Sequence, residues 1–297
     1  ILHFRKLRKR CRIAPDASKV YFQYDRYQNS GFVVDIQKGR VIPWSDMAGK
    51  EPFVYPRENH PRLDIKRWRH KRYPRLDGKP LFYHKGEVSR CLAIQADGAR
   101  FILGTNHNVY CFNPEGEVLW RVPVPSVTRA VNISENGKIA VGHIGDGTIR
   151  WYRMQDGQEF LAFYPHPDRK RWIAWTPAGY YMCSPYGDDL IGWHLNNGKD
   201  CASDFYTASQ FERLLYLPSY VKTSFQRLGD RESMVRENND LQFSISELAH
   251  ILPPRITIVH PEPGFVHHSE TLRIKFAIER TRRPLKDYTV YLNNIPY

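Results

Sequence analysis

The sequence predicts an all-β chain built from repeated four-stranded antiparallel units, followed by a short helical connector and a second, smaller β segment. Two spacings and one compositional feature carry that expectation. The turn glycines Gly116, Gly157 and Gly198 lie 41 residues apart and then 41 again. A second turn precedes each by about 20 residues, at Asp97-Gly98, Asn136-Gly137 and Ala178-Gly179. Nineteen Gly and 21 Pro punctuate a chain that is 41% hydrophobic and 13% aromatic, a pattern suited to many short strands around a core.

The middle unit shows the pattern most clearly. RAVNIS reads as a strand and ENG as a tight turn that favours glycine at positive φ. KIAVGHI, GDG, TIRWYRM, QDG and QEFLAFY then alternate strand and turn. Apolar residues alternate or run briefly, as in half-buried and fully buried strands. Four strands in a period of about 40 residues is the arithmetic of a β-propeller blade.

The preceding unit, RCLAIQADGARFILGTNHNVYCFNPEGEVLWRVPV, fits the same frame. The following unit, RWIAWTPAGYYMCSPYGDDLIGWHLNNG, fits through its third strand. A weaker unit precedes both, CRIAPDASKVYFQYDRYQNSGFVVDIQKGRVI, with Gly39 77 residues before Gly116. The intervening Pro43 to His84 is either a degenerate blade or a basic insertion on one face. Three or four blades predict an open arc or a ring completed by other residues. Both chain ends read as interior points of a longer polypeptide. In WIAW, Trp172 and Trp175 should face opposite sides of a strand, one between blades and the other against the connector near Phe211.

SENGKIAVG and GTIRWYRMQDGQ resemble the strand turns of WD40 repeats. Trp151-Tyr152 and Trp193-His194 keep the Trp of the signature dipeptide but lack its Asp. Gly142-His143 is not at the family's usual blade start, so the Asp-His-Ser/Thr-Trp network does not carry over. Residues 171–297, with ASQFERLLYLPSYV, PPRITIVHPEPGF and YLNN after the last unit, resemble bacterial proteins that join a WD40 propeller to a helical connector and an immunoglobulin-like segment. Such proteins often carry a caspase-like peptidase domain elsewhere. The resemblance places no catalytic residue on this chain.

The expected organisation is blades over 1–206, with 43–84 as the insertion or degenerate blade, a connector over 207–253 and the start of an immunoglobulin-like domain over 254–297. Thr207 can cap a helix containing Phe211, Leu214 and Leu215, which Pro218 ends. Tyr220 to Leu228 and part of SMVRENNDLQFSISELAHIL suit further helices, and Pro253-Pro254 closes the connector. RITIVHP, ETLRIKFAIER and YTVYLNN then read as strands, with an Asn pair suited to a turn.

The residue patterns give little support to bond chemistry. Five Cys, at 11, 91, 111, 183 and 201, form no CxxC pair, and buried thiols in a reducing, cytoplasmic setting are the expectation. Neither Cys111 nor Cys183 has the small-residue context of a caspase nucleophile. His107, His166 and His194 lack helical partners, and His267-His268 would face opposite sides of a strand. Asp188-Asp189 suits a turn better than an acid–base pair. No phosphate-cradling glycine loop occurs, so neither a cofactor nor a metal is expected. No stretch approaches the 18 apolar residues of a membrane helix.

The net charge of +13 is concentrated. Residues 1–82 hold 20 Lys and Arg against eight acids, whereas residues 83–297 hold 24 against 23. Within residues 57–75, Arg67, Arg69 and Arg72 interleave with Trp68 and Tyr73, a pairing of cations and stackable rings that suits nucleic acid. A packed loop with solvated charges is the preferred reading of that segment. A second basic run spans Arg5 to Arg12. The leading expectation is a non-enzymatic scaffold for a protein partner or a fused effector. Nucleic-acid binding through residues 57–75 is the alternative, and an enzyme with its site on the propeller axis is a third class without a catalytic set.

Overall fold

The computed structural model describes residues 11–23, 31–47, 49, 51–81, 86–196, 199, 203–230, 232–234, 256–266, 268, 271–278, 291–292 and 295–296. The expectations for Arg5–Arg10, Gly198, Cys201, His267, residues 235–255 and the Asn293-Asn294 turn lie outside these residues. Chain contacts divide the protein into two units, Ile1–Trp193 with Tyr206–Leu241, and His194–Phe205 with Gln242–Tyr297.

The first unit opens with an antiparallel meander of β1 (Lys19–Phe22), β2 (Phe32–Asp35) and β3 (Arg40–Pro43), followed by the one-turn helix α1 (Trp44–Met47). Ile13 bridges both Val20 and Val54, which ties the next segment to this sheet. That segment carries three two-residue strands, β4 (Ile65–Lys66), β5 (Arg75–Leu76) and β6 (Lys79–Pro80), in place of a four-stranded unit.

The first strong repeat folds as expected. β7 (Cys91–Ile94), β8 (Phe101–Gly104), β9 (Asn108–Phe112) and β10 (Val118–Pro123) form one antiparallel sheet in chain order. The Asp97-Gly98 turn closes with the Gly98 N–H on the Gln95 carbonyl at 2.9 Å. Gly98 has φ +72°, and a Cβ there would strike the His60 ring, so both conformation and space require glycine.

The second repeat departs from the expectation of separate four-stranded sheets. β11 (Thr128–Ile133), β12 (Ile139–Ile144), β13 (Ile149–Arg153) and β14 (Glu159–Pro165) form the expected meander. The third repeat then joins the same sheet through β15 (Trp172–Trp175) and β16 (Tyr181–Cys183), giving six strands. The links explain the difference. Between β10 and β11 the chain contains Pro125, which cannot donate to a ladder, and Thr128 N–H bonds back to the Thr105 carbonyl at 2.9 Å. Between β14 and β15, the Asp168 carboxylate accepts from the Lys170 and Arg171 N–H groups at 2.9 Å, and His166 N–H meets the Arg171 carbonyl at 2.9 Å. That closed turn returns the chain along β14.

Three apolar clusters show how the sheets stack. Leu63, Ile65, Leu76 and Leu81 pack on Leu92, Phe101, Leu103 and Phe112. Cys91, Ile102, Cys111 and Trp120 meet Val131, Ala140, Ile144 and Tyr152. Ile139, Val141, Trp151 and Phe163 meet Ile13, Val20, Phe22 and Val34. The order is therefore the small β4–β6 sheet, β7–β10, the long sheet and β1–β3. Residues 11–36 cover the face of the long sheet where a third blade would stack.

Trp172 is buried against Phe163, with ring centroids 5.8 Å apart, and Trp175 is half-buried. The expected meeting of the second Trp with Phe211 does not occur, because Phe211 packs edge-on against Trp193 and Tyr206. After the hairpin of β17 (Gly192–Leu195) and β18 (Asp204–Thr207), Gln210 Oε1 accepts the Thr207 N–H at 2.9 Å at the start of a 3-10 turn. The helices α2 (Glu212–Leu215) and α3 (Pro218–Gln226) follow. Pro218 ends the first and occupies the opening turn of the second, where its missing N–H costs nothing. Val221 and Phe225 of α3 join the cluster around Phe160 and Phe163.

In the second unit, β19 (Ile256–His260) pairs antiparallel with β20 (Lys275–Ile278), and β21 (Tyr291–Leu292) pairs with β22 (Ile295–Pro296). Ile256, Ile258, Val259 and Phe276 are exposed. The described residues are all-β in both units, with short helices only.

Candidate functional site

Most groups with reactive potential are packed away. Burial pushes the Cys111 and Cys183 thiols up to about 12 and Cys11 higher still, so these remain protonated at neutral pH. His143 is wholly buried, and neither ring nitrogen has a hydrogen-bond partner; burial drives its pKa down to about 4. The Glu87 carboxylate is buried and accepts from the Thr105 hydroxyl, the Asn108 amide and, at 2.8 Å, the Tyr110 hydroxyl. That network is satisfied and joins the lead into β7 to β9. Asp189 lies in the 3-10 turn Gly187–Leu190 and accepts from Ser209 Oγ at 3.1 Å. Among the described residues, no group of three or more His, Cys, Asp or Glu side chains could hold a metal.

An exposed concavity lies on the basic segment. An open cleft of about 440 Å³ is lined by Glu58, Asn59, Arg67, Trp68, Arg69 and Lys71. Its volume falls in the range of small-ligand clefts, ~300–1,000 Å³. The segment that carries it is fixed to the first repeat. The Ile94 N–H donates to the Arg57 carbonyl at 2.8 Å, and the Arg57 guanidinium donates to the Ala96 carbonyl at 2.8 Å. Arg62 donates to the Asp97 carbonyl. Ser89 N–H donates to the Lys71 carbonyl at 2.9 Å, and its buried hydroxyl lies in reach of the Trp68 and Lys71 carbonyls.

Above these anchors the charged tip is exposed. Arg69 lays its guanidinium over the Trp68 ring at 4.8 Å and pairs with Glu58 at 2.7 Å. Trp68 is half-buried against the Leu63–Phe112 cluster. Arg67, Arg69, Arg72 and Tyr73 are all exposed. Arg67 and His70 flank the Trp68–Arg69 pair with φ of +53° and +52°. Left-handed backbone costs a non-glycine residue about 1 kcal/mol or more and concentrates at clamps and switch regions.

The five residues singled out from the sequence therefore divide. Arg67, Trp68 and Arg69 line the cleft, while Arg72 and Tyr73 are not among its lining residues. Glu58, Asn59 and Lys71 complete it. Glu58 pairs with Arg69 across 11 residues of chain, a contact that depends on the fold.

These features define an all-β stack of sheets carrying a cation-lined cleft at one outer layer. No protein family matches the chain, and no curated protein matches it. Among solved structures, it is similar in part to BamB from Moraxella catarrhalis, at 16% identity and a TM-score of 0.27, over 37% of this chain and 38% of that one. It is also similar in part to the WD40 repeats of RRP9, at 18% identity and a TM-score of 0.28, over 33% and 38%. The chain thus covers less than two fifths of each of these two structures.

Proposed function

We propose that this chain is a non-enzymatic interaction scaffold whose docking surface is the basic cleft at residues 58–73. The observation that carries the reading is the contrast between anchored floor and exposed tip. Backbone hydrogen bonds and the Leu63, Ile65, Leu76 and Leu81 side chains hold the segment on a rigid sheet, while Arg67, Arg69, Arg72 and Tyr73 face outward. Recognition residues on loops held by a stable framework are the common arrangement of binding surfaces. The protonated thiols add support for binding over nucleophilic catalysis. The resemblance of residues 171–297 to propeller proteins joined to a caspase-like peptidase suggests the effector that such a scaffold positions.

Site-specific photo-crosslinking tests this reading. A photoreactive side chain in place of Tyr73 is expected to capture a discrete partner, and the same group in place of Val118 on the edge strand β10 is not. Equal capture at both positions, or none at position 73, would overturn it.

A further inference from the structure

We infer that the 58–71 cleft binds a single strand of nucleic acid, with phosphates held by Arg67, Arg69 and Lys71 and a base stacked on Tyr73. The inference rests on the interaction-surface reading and names its ligand.

Charge is the first argument. Residues 57–75 hold eight Lys and Arg against two acids. Both acids are already engaged within the segment, Asp64 with Lys66 at 2.7 Å and Glu58 with Arg69 at 2.7 Å. The segment thus carries a local excess of cations, the charge balance that releases counterions from a phosphodiester chain.

The Arg69 site also suits an anion. Its guanidinium carbon lies 4.8 Å from the centre of the Trp68 ring, and both residues line the cleft. One of its terminal nitrogens donates to a resident carboxylate oxygen of Glu58 at 2.7 Å, the place an incoming phosphate oxygen would take. Ligand entry then exchanges one anion for another. Arg67 and His70, on either side of the Trp68–Arg69 pair, both adopt left-handed backbone.

Tyr73 decides between anionic ligands. It is 73% exposed and sits in sequence among Lys71, Arg72 and Arg75. An acidic peptide would satisfy the cations and leave the ring in water. A duplex keeps its bases stacked on each other. A single strand offers phosphates to the cations and an unstacked base to the ring, and such stacking tolerates any sequence.

The test uses the whole chain and fluorescence anisotropy with three probes: a labelled 15-nucleotide oligothymidylate, a blunt duplex of the same length and an oligoglutamate of matched charge. Binding of the single strand is expected to be tightest and to weaken steeply with salt. The R67A/K71A pair, both exposed, should lower the salt slope by about 1.4, at ~0.7 for each phosphate no longer neutralised. Tyr73→Ala should weaken binding about tenfold. Glu58→Gln, which frees Arg69, should tighten binding severalfold, a change that a merely structural role for Glu58 would not produce. Circular dichroism of each variant checks that the sheets remain. No binding of the single strand at 50 mM salt, equal or tighter binding of the duplex or oligoglutamate, or unchanged affinity in both Y73A and E58Q would overturn the inference. Failure here with protein adducts still captured at position 73 would leave the scaffold reading standing; loss of both would remove it.

Discussion

The Trp151 indole N–H donates to the Ala17 carbonyl at 2.9 Å, across 134 residues of chain. Trp151 is wholly buried at the centre of β13, and Ala17 lies in the turn that leads into β1. The same face sends Asn132 Nδ2 to the Cys11 and Val54 carbonyls, at 2.8 and 3.1 Å. These bonds satisfy backbone groups of residues 11–17 and 54 that packing against the long sheet removes from water. They make the N-terminal sheet the specific cover of that face.

Replacing Trp151 therefore tests the cover. Trp151→Phe keeps most of the apolar contact but strands the Ala17 carbonyl, at an expected cost of about 1–3 kcal/mol. Trp151→Ala adds a cavity and should cost about 3–5 kcal/mol. Urea unfolding should show the two variants in that order.

His143 predicts an acid sensitivity. Its folded pKa, about 4, lies below the ordinary unfolded value near 6.5. The unfolded chain binds the proton first as pH falls, so stability is unaffected by this group above about 6.5 and is lost between 6.5 and 4. The full loss is on the order of 3 kcal/mol. His143→Leu should remove that part of the slope in urea melts taken from pH 7 to pH 4; an unchanged slope would refute the assignment.

Glu87 holds three donors in the first repeat. Glu87→Ala should cost about 3 kcal/mol by leaving buried donors unpaired, while Tyr110→Phe should cost only about 1 kcal/mol. Thermal melts of the two variants measure the difference. Amide exchange at residues 105–110 should quicken in the first.

Asp168 closes the turn that keeps β15 on β14. Asp168→Ala should quicken amide exchange in β15 and β16 while leaving β12 and β13 protected. Equal exchange throughout the six strands would show that the turn does not decide the continuation.

The local structure was largely legible from sequence, because each hairpin is decided by its own turn. Gly116, Gly137, Gly157 and Gly179 all adopt positive φ, as the repeat spacing required. The joining of the third repeat to the second was not legible. HPDRKR reads as an ordinary loop, and its Asp168 hydrogen bonds decide between a new sheet and a continued one. The partner of the Val141 face was equally hidden, since the apolar pattern of β12 marks it as buried without saying which distant segment covers it. At the cleft, the basic and aromatic residues stood out from sequence. The anchoring by Ser89 and the Arg69–Glu58 pair needed the three-dimensional arrangement.

The order of the sheets underlies every statement about where the cleft sits, and methyl–methyl nuclear Overhauser effects in an Ile/Leu/Val-labelled sample test it most directly. The account predicts cross-peaks from Val141 to Val20 and Val34, and from Leu76 and Ile65 to Leu92 and Leu103. A spectrum in which Val141 shows no contact with residues 11–36, or in which Leu76 shows none with the β7–β10 sheet, would contradict it.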